Sequence, residues 1–373
     1  MKIAHLTSVH HRYDTRILLK ECTSLSTFGY DVYLIVADGK EDELIQNINI
    51  LDVGKPSGRL NRILTSTNKI YKKALEVDAN IYHLHDPELI PIGLKLKKKG
   101  KIVIFDSHEN VSQQILGKPY LQKSLKKIIS RLYSYYEKYS LSKFDGIISA
   151  TTSIKEKLIK INKNTIAVNN FPIINDITNT NIIWDKKENR ICYVGAISNI
   201  RGIKEMVESV SDIKTNTKIT IGGNFPNNKF ENEVKNNKNS NEIEFLGFLN
   251  RKQINELFSI SKAGLVVLHP TINYLDSLPV KMFEYMAAGI PIIASNFPLW
   301  KEIISSNNCG LLVNPLEPTE IANAIDFIIN NSDISKEMGK NARVAIEKKY
   351  NWSIECEKLL DFYTKIDELS LSN

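Results

Sequence analysis

Cysteine is scarce in this 373-residue chain. Cys22, Cys192, Cys309 and Cys356 are scattered without metal-type spacing, which fits buried thiols in a reducing compartment and excludes a cysteine-held metal. Long apolar runs are missing too. None reaches membrane-spanning length, and the opening residues Met1 to Ser8 follow a strand pattern, not that of a signal peptide. No Gly-x-Gly-x-x-Gly follows this strand pattern, so a nicotinamide is not indicated and no cofactor is expected. No Asp-x-Asp occurs, and no metal is expected. What remains is a composition ordinary for a soluble protein, 42% hydrophobic and 24% charged, with length enough for two domains.

Charge is unevenly placed. Residues 1–180 hold 27 Lys and Arg against 18 Asp and Glu, or +9; the remainder hold 22 against 24, or −2, giving the chain its +7. A basic first half implies that this half faces something anionic. A nucleic-acid partner is not expected.

Apolar runs alternate with helical patterns throughout. Residues 2–9 and 31–37 read as strands around a helix that runs to about Thr27 and stops at Gly29, a β-α-β unit. The loop before that helix, His10-His11-Arg12-Tyr13-Asp14-Thr15-Arg16, is basic and aromatic. Asp14 in it is either a ligand contact or the helix N-cap. A weaker strand over 48–53 and a helix over 60–76 follow. Two strands then end in histidine and acid, at His83-Leu-His85-Asp86 and at Asp106-Ser-His108-Glu109, and carboxyl ends are the functional edge of such sheets. Taken as a metal site, these residues match no common zinc spacing. Residues 119–144 form a long helix in which Lys123, Lys126, Lys127, Arg131, Lys138 and Lys143 interleave with Tyr133, Tyr135, Tyr136 and Tyr139. Such a helix suits anionic lipid headgroups, or is a solvated face over packed Leu and Ile. Strands at 146–150 and 165–169 close this half. Residues 170–189, polar and rich in Asn, read as a hinge into a second α/β series.

That second half is organised around Asp276-Ser277-Leu278-Pro279-Val280-Lys281-Met-Phe-Glu284-Tyr-Met-Ala-Ala-Gly289-Ile-Pro291. An apolar run over 263–268 precedes it and another begins at Pro291. Gly289 is placed as a helix C-cap and Pro291 as the stop beyond it. The unit reads strand, loop, helix, strand. A loop running from a strand end into a helix start offers free N–H groups, here of Leu278, Val280 and Lys281, and a dipole suited to a diphosphate. Glu284 sits about one turn in, where its carboxylate can accept two hydroxyl hydrogen bonds from a ribose diol.

This acidic-x7-acidic pattern, opening a helix that ends Ala-x-Gly-x-Pro, resembles the donor-site signature of the retaining GT-B glycosyltransferases, glycosyltransferase family four. The resemblance covers essentially the whole chain and is most specific at this motif. It implies that Glu284 holds the nucleotide ribose, that Asp276 lies near the donor sugar, and that Ser277 to Lys281 hold the diphosphate. Val194-Gly195-Ala196-Ile-Ser-Asn-Ile-Arg201-Gly202 resembles the family's Gly-Arg…Lys-Gly stretch. Arg201-Gly202 matches the second pair; Ala196 stands where the first cation is expected, and Lys281 is a substitute for it. The strand over 243–249 implies a site for the base near Phe248. On the first half, the resemblance places His108 at the donor sugar and puts His11, Asp14, Arg16, His85 and Asp86 on the acceptor side.

The expected fold is α/β, GT-B: two doubly wound Rossmann-like domains with an interdomain cleft. Expected bounds are 1–173 and 190–350, joined by a linker over 174–189, with a last helix in 351–373 packing back onto the first domain. The expected activity is transfer of a hexosyl group from a UDP or GDP sugar to a glycan acceptor, lipid-linked in surface polysaccharide assembly, with retention at the anomeric carbon. The expected place is cytoplasmic, peripheral on an anionic membrane face. A sugar-nucleotide epimerase and a silent sugar-nucleotide binding protein are the alternatives.

Overall fold

Runs rich in Ile, Val and Leu become strands covered on both faces, as parallel sheets require. The computed structural model describes residues 1–118, 122–177 and 184–371, apart from the side chains of Lys123 and of residues 369–371. Contacts divide the chain into two units, Met1–Asn170 with Ser353–Asn373, and Phe171–Trp352.

In the first unit the strands are β1 (Lys2–Leu6), β2 (Asp31–Val36), β3 (Glu43–Ile45), β4 (Ile48–Asp52), β5 (Ile81–Leu84), β6 (Ile102–Ser107), β7 (Gly146–Ser149) and β8 (Thr165–Ala167). They lie in the order β3-β4-β2-β1-β5-β6-β7-β8. All pairs are parallel except β3 with β4, a hairpin whose turn residues Gln46 and Asn47 both have positive φ. From β1 the chain winds one way to β2 and later returns to β5, so the carboxyl ends of β1 and β5 form a switch point. Leu6, Leu84, Phe105 and Ile147 fill the core below it. The last helix, Trp352–Leu371, packs in this unit: a Cβ on Gly146 would stand 2.4 Å from Phe362, and Tyr363 is fully buried.

The second unit holds β9 (Arg190–Val194), β10 (Lys218–Gly222), β11 (Ile243–Gly247), β12 (Ala263–Val266), β13 (Ile292–Ser295) and β14 (Gly310–Val313), in the order β11-β10-β9-β12-β13-β14. All pairs are parallel, and the switch point lies between β9 and β12. These are the doubly wound parallel sheets that the resemblance implies.

Local differences have physical causes. The first strand stops at Leu6, because Thr7, Ser8 and the Val9 N–H turn to bond each other and Asp86. The helix after it opens with a π-helical segment, Ile17–Cys22, where the N–H groups of both Leu18 and Leu19 donate to Asp14 O. A second π segment, Arg62–Ser66, interrupts the helix expected over 60–76. The long basic helix is Lys123–Leu141, preceded by Val111–Gly117; residues 119–121 of the expected span lie outside the described residues. Of the expected linker, 178–183 also lie outside them. Its flanks pack into the second unit, with Ile177 and Trp184 buried and Lys187 Nζ donating to three carbonyls of the 258–261 turn.

Candidate functional site

A short helix, Ile272–Leu275, precedes the motif at 276–291, which folds as a turn and then the helix Val280–Ala287. Pro279 is its N-cap and supplies no side-chain bond, so the helix start is left open to a ligand. Trp300 Nε1 donates to Ser277 O at 2.7 Å, and Ser277 Oγ to Tyr274 O at 3.0 Å, which fixes the turn. Gly289 is in the left-handed region, and the Ile290 N–H reaches back to Tyr285 O at 3.1 Å, closing the helix as a glycine cap does.

Three distant stretches converge on this helix start. A Cβ on Gly195, just past β9, would be 2.7 Å from Lys281 Nζ and 3.6 Å from Arg201 Nη1. Only glycine leaves that space free. Gly202 (φ +74) is equally constrained, since a Cβ there would meet Val267 O at 2.0 Å. Lys281 is buried, with Nζ 3.6 Å from the centre of the Tyr193 ring and without a hydrogen-bond partner. Burial, with the Arg201 charge second, holds the Lys281 amine well below the ordinary lysine range. Tyr193 is anchored through its hydroxyl, which donates to Ala196 O at 2.7 Å. Lys281, from the next motif, thus lies with Arg201 beside Gly195, the residue before Ala196.

Glu284 lies on the same helix but is engaged: Arg251 Nη1 donates to its Oε1 at 2.7 Å. The sequence reading missed Arg251. Its signal was the capping box Asn250…Gln253, which starts a helix at Arg251 directly after β11. Asp276 and Phe248 are both exposed, Phe248 at 74%. Among the described residues neither makes a hydrogen bond or ion pair with Arg201, Lys281 or Glu284. His269, given no role from the sequence, donates its backbone N–H to Ile200 O, and its Nε2 lies 3.0 Å from Glu205 Oε1.

The first unit gathers its own polar cluster at the ends of β1, β5 and β6. Asp106 is fully buried and takes two hydrogen bonds from Arg16, at 2.8 and 2.9 Å, while Arg16 Nη1 donates to Val168 O. Burial favours the neutral acid at Asp106, but Arg16 and His108 outweigh it and hold the carboxyl far below its usual range. His108 is 3.0 Å from Asp106 Oδ2, and His85 is 3.4 Å from it. Burial pulls His85 down to about 4 despite Asp106. Asp86 accepts from Thr7 Oγ1 and the Ser8 N–H.

Two expectations change here. Arg16 is buried and consumed by Asp106 and Val168, so it is not presented to an acceptor. His10, not His11, joins the cluster, 3.3 Å from Asp14 and 3.5 Å from Asp86; His11 is exposed on a turn. Of the two roles left open for Asp14, the cap is the one the structure shows. Its Oδ1 accepts from the N–H groups of Arg16 and Ile17, as a cap does, and its Oδ2 faces His10. Burial raises the Asp14 carboxyl, yet His10 and the two amides bring it below the ordinary range. Among the described residues, two sets of side chains bring metal-ligand atoms within 4.8 Å of one another: His5, Glu21, His83 and His85, and His85, Asp106 and His108.

Comparison with known proteins agrees with this architecture. A model of glycosyl transferases group 1 matches residues 177–345, and one of glycosyltransferase family 4 matches residues 15–169. An uncharacterized glycosyltransferase of Methanocaldococcus jannaschii is 29% identical over 58% of the chain; the match spans only 59% of that relative. The capsular polysaccharide biosynthesis glycosyltransferase CapM of Staphylococcus aureus is 23% identical, over 97% of the chain and 96% of its own. Among solved structures, sucrose-phosphate synthase from Thermosynechococcus elongatus superposes with a TM-score of 0.75 at 16% identity, covering 99% of both chains. WaaG, a glycosyltransferase involved in lipopolysaccharide biosynthesis, gives 0.73 at 14% identity over 96% of this chain and 98% of its own. At such identities the structures speak for the fold, and the two models for the family. With those models matched along most of its length, the chain belongs to glycosyltransferase family four and has the GT-B fold.

Proposed function

We propose that this protein transfers a hexosyl group from a UDP or GDP sugar to a glycan acceptor, with retention of anomeric configuration. One observation carries the reading. Arg201 and the unpartnered Lys281 amine meet at the glycine-lined end of β9, beside an uncapped helix start. Arg201, an amine that a bound diphosphate would recharge, and open N–H groups at one switch point suit a diphosphate leaving group, and they stabilise charge as it develops there. Anabaena HepE, of the same fold, has been solved with UDP and with UDP and glucose. In this reading Glu284 exchanges Arg251 for the ribose diol or shares its free oxygen with it. The base lies near Phe248 and the sugar near Asp276. His108, at the edge of the first unit's cluster, contacts substrate. The two cations take the place of a divalent metal in this step.

CapM acts in capsular polysaccharide biosynthesis and WaaG in lipopolysaccharide biosynthesis, which favours a glycan acceptor here. No described helix is long and apolar enough to cross a membrane. The helix Lys123–Leu141 exposes Leu125, Ile128, Leu132, Tyr135 and Tyr139 among its basic residues. A groove of about 470 Å³ beside it is lined by Lys127, Arg131, Lys138, Tyr135 and Leu116. Apolar and basic side chains on one exposed surface favour docking on anionic lipid, and with it a lipid-linked acceptor at the cytoplasmic membrane face.

The test joins donor selection to stereochemistry. A thermal-shift screen across UDP, GDP, ADP and dTDP sugars identifies the donor, since ligands of the folded state raise apparent stability. Product NMR should then show the donor's anomeric configuration, and added magnesium or manganese should not change the rate. An inverted product, or an epimerised donor formed without acceptor, would reject the proposal.

A further inference from the structure

Beneath the switch point of the first sheet, four side chains face one another, three of them with polar atoms that have no partner. His5 (β1), Glu21 (the π-helical segment), His83 (β5) and His85 are at most 2% exposed. His5 Nε2, His83 Nε2 and both Glu21 oxygens make no hydrogen bond, although Arg16 Nε lies 3.1 Å from Glu21 Oε1. Buried polar atoms are seldom left so. One ligand atom from each residue lies within 4.8 Å of the others. His5 Nδ1 is 2.9 Å from His85 Nε2, and Glu21 Oε2 is 4.0 and 3.9 Å from these two atoms. A triangle with those sides has a circumradius of about 2.1 Å, which is the zinc–nitrogen distance.

We propose that His5, Glu21, His83 and His85 bind one zinc-type divalent cation in a closed structural site. Three imidazoles and a carboxylate make a four-coordinate set that suits tetrahedral zinc and not magnesium or calcium, which demand more oxygen. Supporting partners are in place. His83 Nδ1 is 2.8 Å from Tyr363 Oη, and His85 Nδ1 is 3.3 Å from His108 Nε2 and 3.4 Å from Asp106 Oδ2, outer partners of the kind that orient ligating histidines. Arg16 faces both buried carboxyl groups, Glu21 and Asp106, and His85 and His108 face Asp106 as well, so Glu21 is the one of the two without a histidine within 3.5 Å. Burial keeps the three imidazoles neutral, the coordinating form.

Without metal, in the tautomer whose His85 Nδ1–H points to His108 Nε2 and Asp106, His85 Nε2 accepts from His5 Nδ1–H. The ion replaces that hydrogen bond: the His5 proton moves to Nε2, and any proton on Glu21 leaves to solvent. The ion then ties β1, β5 and the π-helical segment together, and through Tyr363 the last helix as well. None of this depends on the donor reading of the second unit.

The experiment uses the untagged full chain, purified from zinc-supplemented medium and assayed by elemental analysis. About one zinc per chain is expected. Stripping with a strong chelator should lower the melting temperature, and zinc, but not magnesium, should restore it. Cobalt added to the stripped protein should give the visible bands of tetrahedral cobalt. Glu21→Gln and His83→Gln should each weaken zinc binding about 10- to 100-fold or more. If either fails to fold, Tyr363→Phe, which removes only the outer bond to His83, should weaken it by about tenfold. Nucleotide binding by the second unit, followed alongside, shows whether that unit is intact. Substoichiometric zinc with no zinc-dependent stabilisation overturns the proposal. So does loss of zinc on His108→Gln but not on Glu21→Gln, which would place the ion at His85, Asp106 and His108 instead.

Discussion

Replacing Lys281 with Met should stabilise the protein and weaken its grip on nucleotide at the same time. Methionine keeps the length of the side chain and its packing under Gly195, and removes the amine. In the free protein that amine is buried and has no partner. Leaving such a group unsatisfied costs about 1–3 kcal/mol. The Tyr193 ring at 3.6 Å returns part of this only if the amine is charged, and burial beside Arg201 disfavours the charge. A net gain of about 1–2 kcal/mol is therefore expected, a rise of a few degrees for a unit of this size. The diphosphate should reverse the balance. It supplies the missing acceptor, the lysine regains its proton, and a charge-assisted hydrogen bond worth about 1.5–3 kcal/mol forms. Losing it should weaken UDP or GDP binding by roughly 10- to 150-fold.

The pH dependence adds a second check. A lysine whose folded pKa is depressed leaves the folded state short of a proton relative to the unfolded chain. Wild-type stability therefore gains with rising pH until the ordinary lysine value of 10.5 is reached. The advantage of the Lys281→Met variant should shrink toward that pH and grow as pH falls through the neutral range. Scanning fluorimetry from neutral to alkaline pH, with calorimetric titration of nucleotide, measures both effects. A variant that melts lower than wild type and binds nucleotide equally well would refute the reasoning, because Lys281 would then be a packing residue.

Glu284→Ala should lower nucleotide affinity through loss of charge-assisted bonds worth about 1.5–3 kcal/mol each, with melting little changed; calorimetry showing unaltered binding would remove Glu284 from the site. Asp106→Asn leaves the buried Arg16 guanidinium facing Glu21 alone, and denaturant unfolding should show a loss of roughly 3–5 kcal/mol. Wild-type protein should co-sediment with anionic but not neutral vesicles, less so at high salt, and changing Lys126, Lys127, Arg131 and Lys138 to Gln should remove about 1 kcal/mol each. Indifference to anionic vesicles at low salt would make the helix a solvated face.

What the sequence made legible was whatever a short stretch decides. The motif from Asp276 to Pro291 carries its own cap, turn and stop, so its strand-loop-helix-strand form could be read without any partner. The alternation of apolar runs with helical patterns was enough for two doubly wound sheets. Strand order was not readable, since it depends on which β-α-β unit reverses, and the short hairpin strand Glu43–Ile45 carried too few residues to register. The two π-helical segments were hidden as well, because helix periodicity does not distinguish one extra residue per turn.

The site divides along the same line. Arg201 and Gly202 could be placed from their own stretch, but Lys281 could not be recognised as buried until Gly195 and the Tyr193 ring were set around it. Glu284 looked free because Arg251, its partner, stands 33 residues earlier in the chain. The first unit is the stronger case. His5, Glu21, His83 and His85 show no ligand spacing along the chain, since β1 and β5 are neighbours only once β2, β3 and β4 have been wound to the far side. Parallel pairing then sets His5 opposite His83, and the π-helical segment turns Glu21 toward them. Chemistry of this kind belongs to the topology. A search for spacing alone misses it, and the unsatisfied atoms on Glu21 and His83 are what give it away.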